Sequence, residues 1–381
     1  MKNVSLENKY RKIVLILTQS CNLNCTYCYE NHKSGRSMTF DMVKEILDNE
    51  ILHIGKDNLL TVEFFGGEPF IKFEIIKNTV DYVKRKYETL HIKFATTTNG
   101  TLLTPYIKGW LADNADIFEC SLSLDGTPNM HNTNRPYFDG KGSYDDIDTA
   151  FFIKTYHKPR AKMTVSKDTL PNLFDGVKYL HTLGFQPVVD LASAPDYWEQ
   201  IDINIFEKQL KLLVAFYSEN SHLDICRMLD YDLRRVFIEK GAPFKYCGAG
   251  RNMITFDVDG QWYPCMALAP VSQGYDAKLF KEENFKQFDL SYDNICKQCP
   301  FLRLCRNCYA ANYNQTGNIE KQTHTQCYIN RLTILASSVI QYNRVSKKVS
   351  NKNHISHEED LILKAIFRIQ EIARDKSRVY L

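Results

Sequence analysis

The chain has almost no imbalance of charge: 48 Lys and Arg against 45 Asp and Glu leave a formal +3. Surfaces that track nucleic acid or an anionic membrane need a concentrated excess of one sign, so neither partner is expected. No uninterrupted apolar run is long enough to span a bilayer. The opening MKNVSLENKY lacks the apolar stretch of a secretory signal, which makes the cytoplasm the expected location. Internal repeats and long low-complexity tracts are missing as well, which excludes solenoids and disordered arrays.

What remains is a chain of 381 residues, enough for one large core and a smaller appended module, with an ordinary 44% hydrophobic and 24% charged residues. Cysteine is in excess. Twelve are many for a reducing compartment, where disulfides do not persist, so short fixed spacings read as metal or iron–sulfur ligands. Three lie within Cys21 to Cys28 and seven within Cys247 to Cys327, which implies two metal regions. Cys120, inside a strand-like run, reads as core, and Cys226 also stands apart.

Residues 13–18, IVLILT, form an apolar, β-branched run suited to a fully buried strand. Further strand-like runs cover 61–65, 91–97, 118–124, 161–166 and 185–191. Helix-like segments lie at 71–86, 104–112, 143–156 and 171–183, and another helix opens near Thr39 as its N-cap. Six strands alternating with helices predict an α/β fold, a parallel sheet closed or partly closed as a (β/α)6 barrel of TIM type. Its chemistry belongs at the carboxyl edge of the strands.

After Pro195 the rhythm changes, and 203–219 and 222–239 read as two amphipathic bridging helices. From about 243 to 330 the chain is rich in Cys, Gly, Asn and Tyr, the composition of a small α+β module stapled by metal. Two helix-like stretches follow, split by the polar break KKVSNKNHIS, as a helical tail. The expected domains are 1–200, 201–242, 243–330 and 331–381.

Cys21-Asn-Leu-Asn-Cys25-Thr-Tyr-Cys28 puts three thiolates on one loop directly after a buried strand. Three ligands leave one iron of a cubane without a protein ligand, where a small molecule can chelate. A zinc loop would want a fourth ligand nearby, and only His32, which also suits an exposed loop, is at hand. The CxxxCxxC loop, with aromatic Tyr27 before the third cysteine, resembles that of the radical S-adenosylmethionine (SAM) superfamily. Gly66-Gly67-Glu68-Pro69 resembles its GGEP motif, where backbone and acid would hold the SAM amino group. Glycines permit close backbone approach and an acid accepts from an ammonium. The segment ending at Asn99-Gly100 resembles the TNG motif, and Ser123-Leu124-Asp125-Gly126 the SLDG motif. His131-Asn-Thr-Asn-Arg135-Pro resembles the loop whose arginine grips the SAM carboxylate, a task that suits a guanidinium fork. The resemblance implies SAM contacts by Tyr27, Gly66, Gly67, Glu68, Pro69, Asn99, Ser123, Asp125 and Arg135. No adenine-contacting motif is evident in the fifth strand.

Cys247 and Cys265, with Gly260 between them, then Cys296-x2-Cys299-x5-Cys305-x2-Cys308 and Cys327, resemble the SPASM extension of such enzymes. That extension binds two auxiliary 4Fe–4S clusters, which makes three clusters in all. By this resemblance one auxiliary cluster takes Cys247, Cys265 and Cys308, and the other Cys296, Cys299, Cys305 and Cys327. The x2 spacing before Cys308 departs from the usual x3. Either a further residue completes the three-cysteine cluster or one iron stays open. Cys226 is a candidate for that place, and equally a small buried hydrophobe. CxxC spacing also suits a pair of zinc ribbons, but the N-terminal motif argues against it.

The implied activity is reductive cleavage of SAM to a 5′-deoxyadenosyl radical that takes a hydrogen atom from an unactivated C–H. The cofactors do the hard chemistry, and the protein positions them and excludes water. SPASM enzymes mostly modify peptides, so the expected substrate is a ribosomally made precursor peptide. The expected product is a thioether, C–C or C–O crosslink or an epimerised residue. In the anaerobic sulfatase maturases an aspartate base follows the second cysteine of the module; here Met266 follows Cys265. Formylglycine formation of that kind and small-molecule dehydrogenation are the alternative reactions. A non-catalytic iron–sulfur electron-transfer protein would explain the cysteines but not the SAM motifs. Asp257, Asp259 and Tyr263 are candidate catalytic residues that also suit a turn. Flavodoxin or ferredoxin is the expected reductant. About a dozen residues precede the first strand, too few for a leader-binding domain, so a separate leader-binding protein, the C-terminal helices or the barrel mouth would serve.

Overall fold

The computed structural model describes residues 10–52, 59–193, 198–238, 247–282, 294–352 and 355–374. In chain order the barrel elements are β1 (Tyr10–Thr18), α1 (Phe40–Ile51), β2 (Leu59–Gly66), α2 (Phe73–Lys86), β3 (Ile92–Thr98), α3 (Pro105–Asp113), β4 (Phe118–Ser123), α4 (Pro128–Asn134), α5 (Thr149–Thr155), β5 (Arg160–Val165), α6 (Leu173–Leu183) and β6 (Gln186–Leu191). The sheet order is β6-β5-β4-β3-β2-β1, extended beyond β1 by β7 (Met253–Phe256) and β8 (Trp262–Tyr263). Strands β1 to β5 pair in parallel, as does β1 with β7; only the β7–β8 hairpin is antiparallel. This is the partial (β/α)6 barrel expected. The hairpin was not expected: the cysteine-rich segment contributes two strands to the barrel sheet.

Burial on both faces explains the β1 sequence, because Ile13 to Leu17 are all fully buried, as a parallel sheet covered by helices requires. Thr39 caps α1 by accepting from the Met42 N–H, and Val43, Ile46, Leu47 and Ile51 form its buried stripe. Helices α3 and α4 start the same way, with Thr104 and Thr127 as caps and proline at the next position. Phe64, Phe94 and Phe118, on neighbouring strands, stack with centroids 6.0–6.4 Å apart, and Trp110 of α3 meets Phe118 edge-on at 5.1 Å.

Two compact units are present. The first comprises Met1–Lys162, Leu183–Phe185 and Gly248–Lys286. It includes the hairpin and two short helices, α8 (Pro270–Gln273) and α9 (Leu279–Glu282). Here Ile16, Val258, Tyr263, Ala269, Val271 and Ala277 form a buried apolar cluster.

The second unit, Met163–Thr182, Gln186–Cys247 and Gln287–Leu381, holds α7 (Gln200–Glu219), α10 (Asn294–Gln298), α11 (Tyr309–Thr316), α12 (His324–Lys352) and α13 (His357–Arg374). Its core gathers Leu233, Phe301, Leu304, Ile334, Ile366 and Ile369. The first bridging helix, expected over 203–219, is α7, and the two tail helices are α12 and α13. Helix α12 runs well into the polar break, whose residues 353–354 lie outside the described residues.

The helix expected over 222–239 does not form; turns and a short 3-10 segment, Leu233–Phe237, take its place, and residue 239 lies outside the described residues. Side chains hold carbonyls and an N–H along this stretch and at the end of α7 just before it. Arg344 donates to the carbonyls of Tyr217, Asn220 and Leu223, and Lys347 to that of Ser218. Arg306 holds the carbonyls of Arg227 and Asp230, and the Cys226 N–H donates to the Tyr217 hydroxyl. Amphipathic spacing cannot reveal such competition from distant arginines.

Candidate active site

The carboxyl ends of β1 to β4 bring the SAM-type motifs together in the first unit. The cysteine loop leaves β1 at Thr18 and is stitched to the arginine loop by Asn24 N–H to Pro136 C=O at 2.8 Å and Thr26 N–H to Asn134 C=O at 2.9 Å. The GGEP segment closes on it from β2, with Gly67 N–H donating to Thr18 C=O at 3.0 Å and Glu68 N–H to Ser20 C=O at 2.9 Å. Gly66 has φ +141°, and a Cβ on Gly67 would sit 2.3 Å from the Ser20 carbonyl and 2.9 Å from the Cys21 Cβ. These two glycines are therefore demanded by the approach of one backbone to another.

Glu68 is buried, and its carboxylate accepts from Phe70 N–H at 3.1 Å, the Thr98 hydroxyl at 2.9 Å and Asn99 N–H at 2.8 Å. Burial pushes this carboxyl up to about 7, against the pull of those hydrogen bonds. The acid thus ties β2 to the end of β3. Asn99 in turn donates to Asn22 on the cysteine loop at 2.9 Å. Pro69 opens a short 3-10 turn that Glu68 caps.

At the end of β4 the fully buried Asp125 meets Arg135 in an ion pair and also accepts from the Tyr27 hydroxyl at 2.5 Å and Asn134 Nδ2 at 3.2 Å. The Arg135 guanidinium stands 5.4 Å from the centre of the Tyr27 ring. Burial raises the Tyr27 phenol well above its ordinary value, so it remains a donor. Ser123 is the partly exposed last residue of β4.

Behind this pair lies a relay that the motif reading did not include. The Asp125 N–H donates to His131 Nδ1 at 3.3 Å, His131 Nε2 meets Ser143 Oγ at 3.0 Å, and Ser143 donates to the Arg135 carbonyl at 2.6 Å. Burial lowers His131 to about 4, so the ring is neutral and the Nε2 proton faces Ser143.

The three cysteines share one local field. Burial raises Cys21 to about 11 and pushes Cys25 above its ordinary value, and Cys25 feels the charge of Cys28. Lys33 Nζ lies 3.5 Å from Cys28 Sγ. Buried thiols become thiolates only beside a cation, a requirement that iron meets. Glu30, missed by motif reading, is buried, with a carboxyl pushed up by burial to about 7. Its Oε1 finds no hydrogen-bond donor among the described residues.

In the second unit the charges of Cys327, Cys299 and Cys296 reach Cys305, and burial raises Cys305 far above its ordinary value. Cys308 is exposed and lies near enough to Cys247 to feel its charge. Among the described residues, no three His, Cys, Asp or Glu side chains are gathered for a single metal ion. Cys120 and Cys226 are buried.

Of the three candidate catalytic residues of the hairpin, Asp257 serves its turn. Asp257 Oδ1 accepts from Asp259 N–H at 3.0 Å and Gln261 N–H at 2.9 Å, and Asp259 pairs with Arg36. Tyr263 is buried in β8, its phenol raised by burial to about 12. His32 packs its ring against Gly274.

The sequence profile of the Radical SAM superfamily matches residues 15–192, the segment that carries every one of these SAM-type motifs. Residues 15–192 thus form a radical SAM domain, the mark of an enzyme class that uses SAM and iron–sulfur chemistry. An uncharacterized protein of Methanocaldococcus jannaschii is 34% identical over 47% of the chain, a match spanning 61% of that protein. A cysteine-type anaerobic sulfatase-maturating enzyme of Clostridium novyi is 25% identical over 88% of the chain and 97% of its own length. Among solved structures, native anSMEcpe with bound AdoMet and a peptide superposes with a TM-score of 0.67 at 22% identity, covering 91% of this chain and 99% of that one. Streptococcus suis SuiB bound to its precursor peptide gives 0.58 at 17% identity, covering 84% and 76%. The relatives that match most of the chain thus include sulfatase-maturating enzymes, and the fold is that of anSMEcpe and SuiB. Among the described residues no helix is long and apolar enough to cross a membrane.

Proposed function

We propose that the chain is a cytoplasmic peptide maturase that abstracts hydrogen from a ribosomally made precursor peptide, leaving a thioether, C–C or C–O crosslink or an epimerised residue. The observation that carries this reading is Met266. The position after Cys265, acidic in the sulfatase maturases by the resemblance above, holds a thioether whose Sδ is 3.5 Å from Cys265 Sγ and which packs on an apolar cluster. A base there is missing, so a reaction that needs none at that place is favoured. Peptides bound to the two solved neighbours support the substrate class.

In this reading Cys21, Cys25 and Cys28 hold the first cluster, and three clusters are bound in total. Cys247, Cys265 and Cys308 serve one auxiliary site, within a module of residues 243–330 that follows a barrel of residues 1–200. Reduced cluster and SAM together supply the 5′-deoxyadenosyl radical. Arg135 offers its guanidinium to the SAM carboxylate while Asp125 and Tyr27 hold it in place. Gly66 and Gly67 let backbone come close to the ligand, and Ser123 lines the same edge. Glu68 keeps Asn99 in position through its own hydrogen bonds. Flavodoxin or ferredoxin would supply electrons, and a separate protein would present the leader.

Formylglycine formation is the second reading, favoured by the match over 97% of the Clostridium novyi enzyme. Mass spectrometry and chiral amino-acid analysis of reduced enzyme incubated with any short peptide encoded beside its gene separate the two. A crosslink or epimer is expected. An unmodified peptide with SAM still cleaved, and a sulfatase peptide oxidised instead, would reverse the choice.

A further inference from the structure

We propose that Asn330 sets the reduction potential of an auxiliary cluster held by Cys296, Cys299, Cys305 and Cys327. The proposal rests on reading those four thiols as cluster ligands and is independent of the peptide chemistry.

Asn330 lies in the first turns of α12 and is 7% exposed. Its Nδ2 donates to Cys305 Sγ at 3.4 Å. The amide is oriented by Gln326, whose Nε2 reaches Asn330 Oδ1 at 3.5 Å, so the N–H side faces sulfur. A second amide supports the first: Gln322 Nε2 lies 3.8 Å from the same sulfur while donating to Asn307 Oδ1 at 2.8 Å. On the neighbouring thiol, the Arg331 side chain hydrogen-bonds Cys327. Amide and guanidinium donors from one short stretch, 322–331, thus converge on two of the four cysteines.

A reduced 4Fe–4S cluster carries one more negative charge than its oxidised form, and part of that charge resides on the cysteine sulfurs. An N–H dipole aimed at Sγ stabilises the reduced form more than the oxidised one, and more strongly where water is excluded. Asn330 acts through a ligand rather than on iron, so it is a positioning residue. Its effect is to make this cluster the easier one to reduce, suited to receive electrons. A polar residue merely satisfied on a helix would leave the potential where it was.

The test is a potentiometric titration of the anaerobic, fully loaded chain, read by electron paramagnetic resonance on the auxiliary signal. That signal is identified as the one unmoved by SAM and lost in Cys299→Ala. Asn330→Leu keeps the volume and removes the donor; at a fixed poise its reduced-to-oxidised ratio is expected to fall about tenfold, which is about 59 mV for one electron. Gln322→Leu is expected to shift in the same direction by less. An unchanged midpoint in Asn330→Leu with full iron content overturns the proposal. If Asn330→Leu loses iron, Gln322→Leu decides: no shift there overturns the proposal as well. Wild-type chain without any signal that depends on Cys299 would instead defeat the reading of the four cysteines.

Discussion

Arg135 pairs with Asp125 through a hydrogen bond from Nη2 to Oδ1 at 3.1 Å and an ion-pair approach of Nε to Oδ2 at 3.0 Å, with almost no water in reach of the carboxylate. The pair joins two motifs, the end of β4 and the loop after α4, into one rigid corner of the site. Removing one partner of a buried pair leaves the other charge uncompensated, which typically costs about 3–5 kcal/mol. Asp125→Asn is therefore expected to lose roughly that much stability in anaerobic urea unfolding. It also loosens Tyr27, which donates to the same carboxylate. A loss under about 1 kcal/mol would mean that solvent reaches the guanidinium after all.

His131 makes the stability of this corner depend on pH. Its folded value, about 4, lies below the ordinary 6.5 because the ring is buried. Above 6.5 both folded and unfolded chains carry it neutral, and the contribution is fully present. As pH falls from 6.5 towards 4 the unfolded chain takes up a proton that the folded chain refuses, so stability drops through that window, by up to about 3 kcal/mol. In His131→Gln this part of the slope should vanish. Unfolding midpoints that decline equally in both proteins across the window would show that His131 does not bear it.

Much of this was legible in the chain because it is local. The run 13–18 has the β-branched, wholly apolar character of a doubly covered strand, and Thr39 stands one residue before an amphipathic stripe. The motifs at Cys21 to Cys28, Gly66-Gly67, Asn99-Gly100 and Ser123 to Asp125 lie one βα unit apart, and the sheet assembles them in that order. What escaped was long-range. Arg344 captures carbonyls more than a hundred residues away in sequence, and so ends the helical pattern after Asn220. The relay through His131 and Ser143 needs a turn to bring the two together. The hairpin of β7 and β8 looked like part of a separate module because nothing in its sequence names β1 as its partner.

Gly67 offers a steric test of how the first cluster site is built. With only 2.3 Å between a Cβ and the Ser20 carbonyl, an alanine forces the GGEP segment and the cysteine loop apart. Because Cys21 is the next residue, the thiol geometry moves with it. Gly67→Ala is expected to bind about four fewer irons per chain than wild type and to lose release of 5′-deoxyadenosine at least tenfold, while the auxiliary signal persists. Wild-type iron content and activity would show that the loop relaxes without cost.

The two cysteine groups should separate in function: Cys25 feels Cys28, and Cys305 feels Cys327, Cys299 and Cys296. If Cys28 is a cluster ligand as proposed, Cys28→Ala removes a thiolate that its neighbours, Lys33 Nζ at 3.5 Å and the Glu30 carbonyl at 3.9 Å, do not replace. SAM cleavage is expected to fall at least a hundredfold, since the step needs the cluster itself. Cys299→Ala takes a thiol from the other group and leaves the first loop, Glu68 and the Asp125–Arg135 corner untouched. It should retain 5′-deoxyadenosine release within about threefold of wild type yet lose peptide product, because in this reading the electron set free on the substrate leaves through the cluster of this group. Quantifying 5′-deoxyadenosine and modified peptide side by side distinguishes the roles. If Cys299→Ala turned over peptide as fast as wild type, the second cysteine group would be structural.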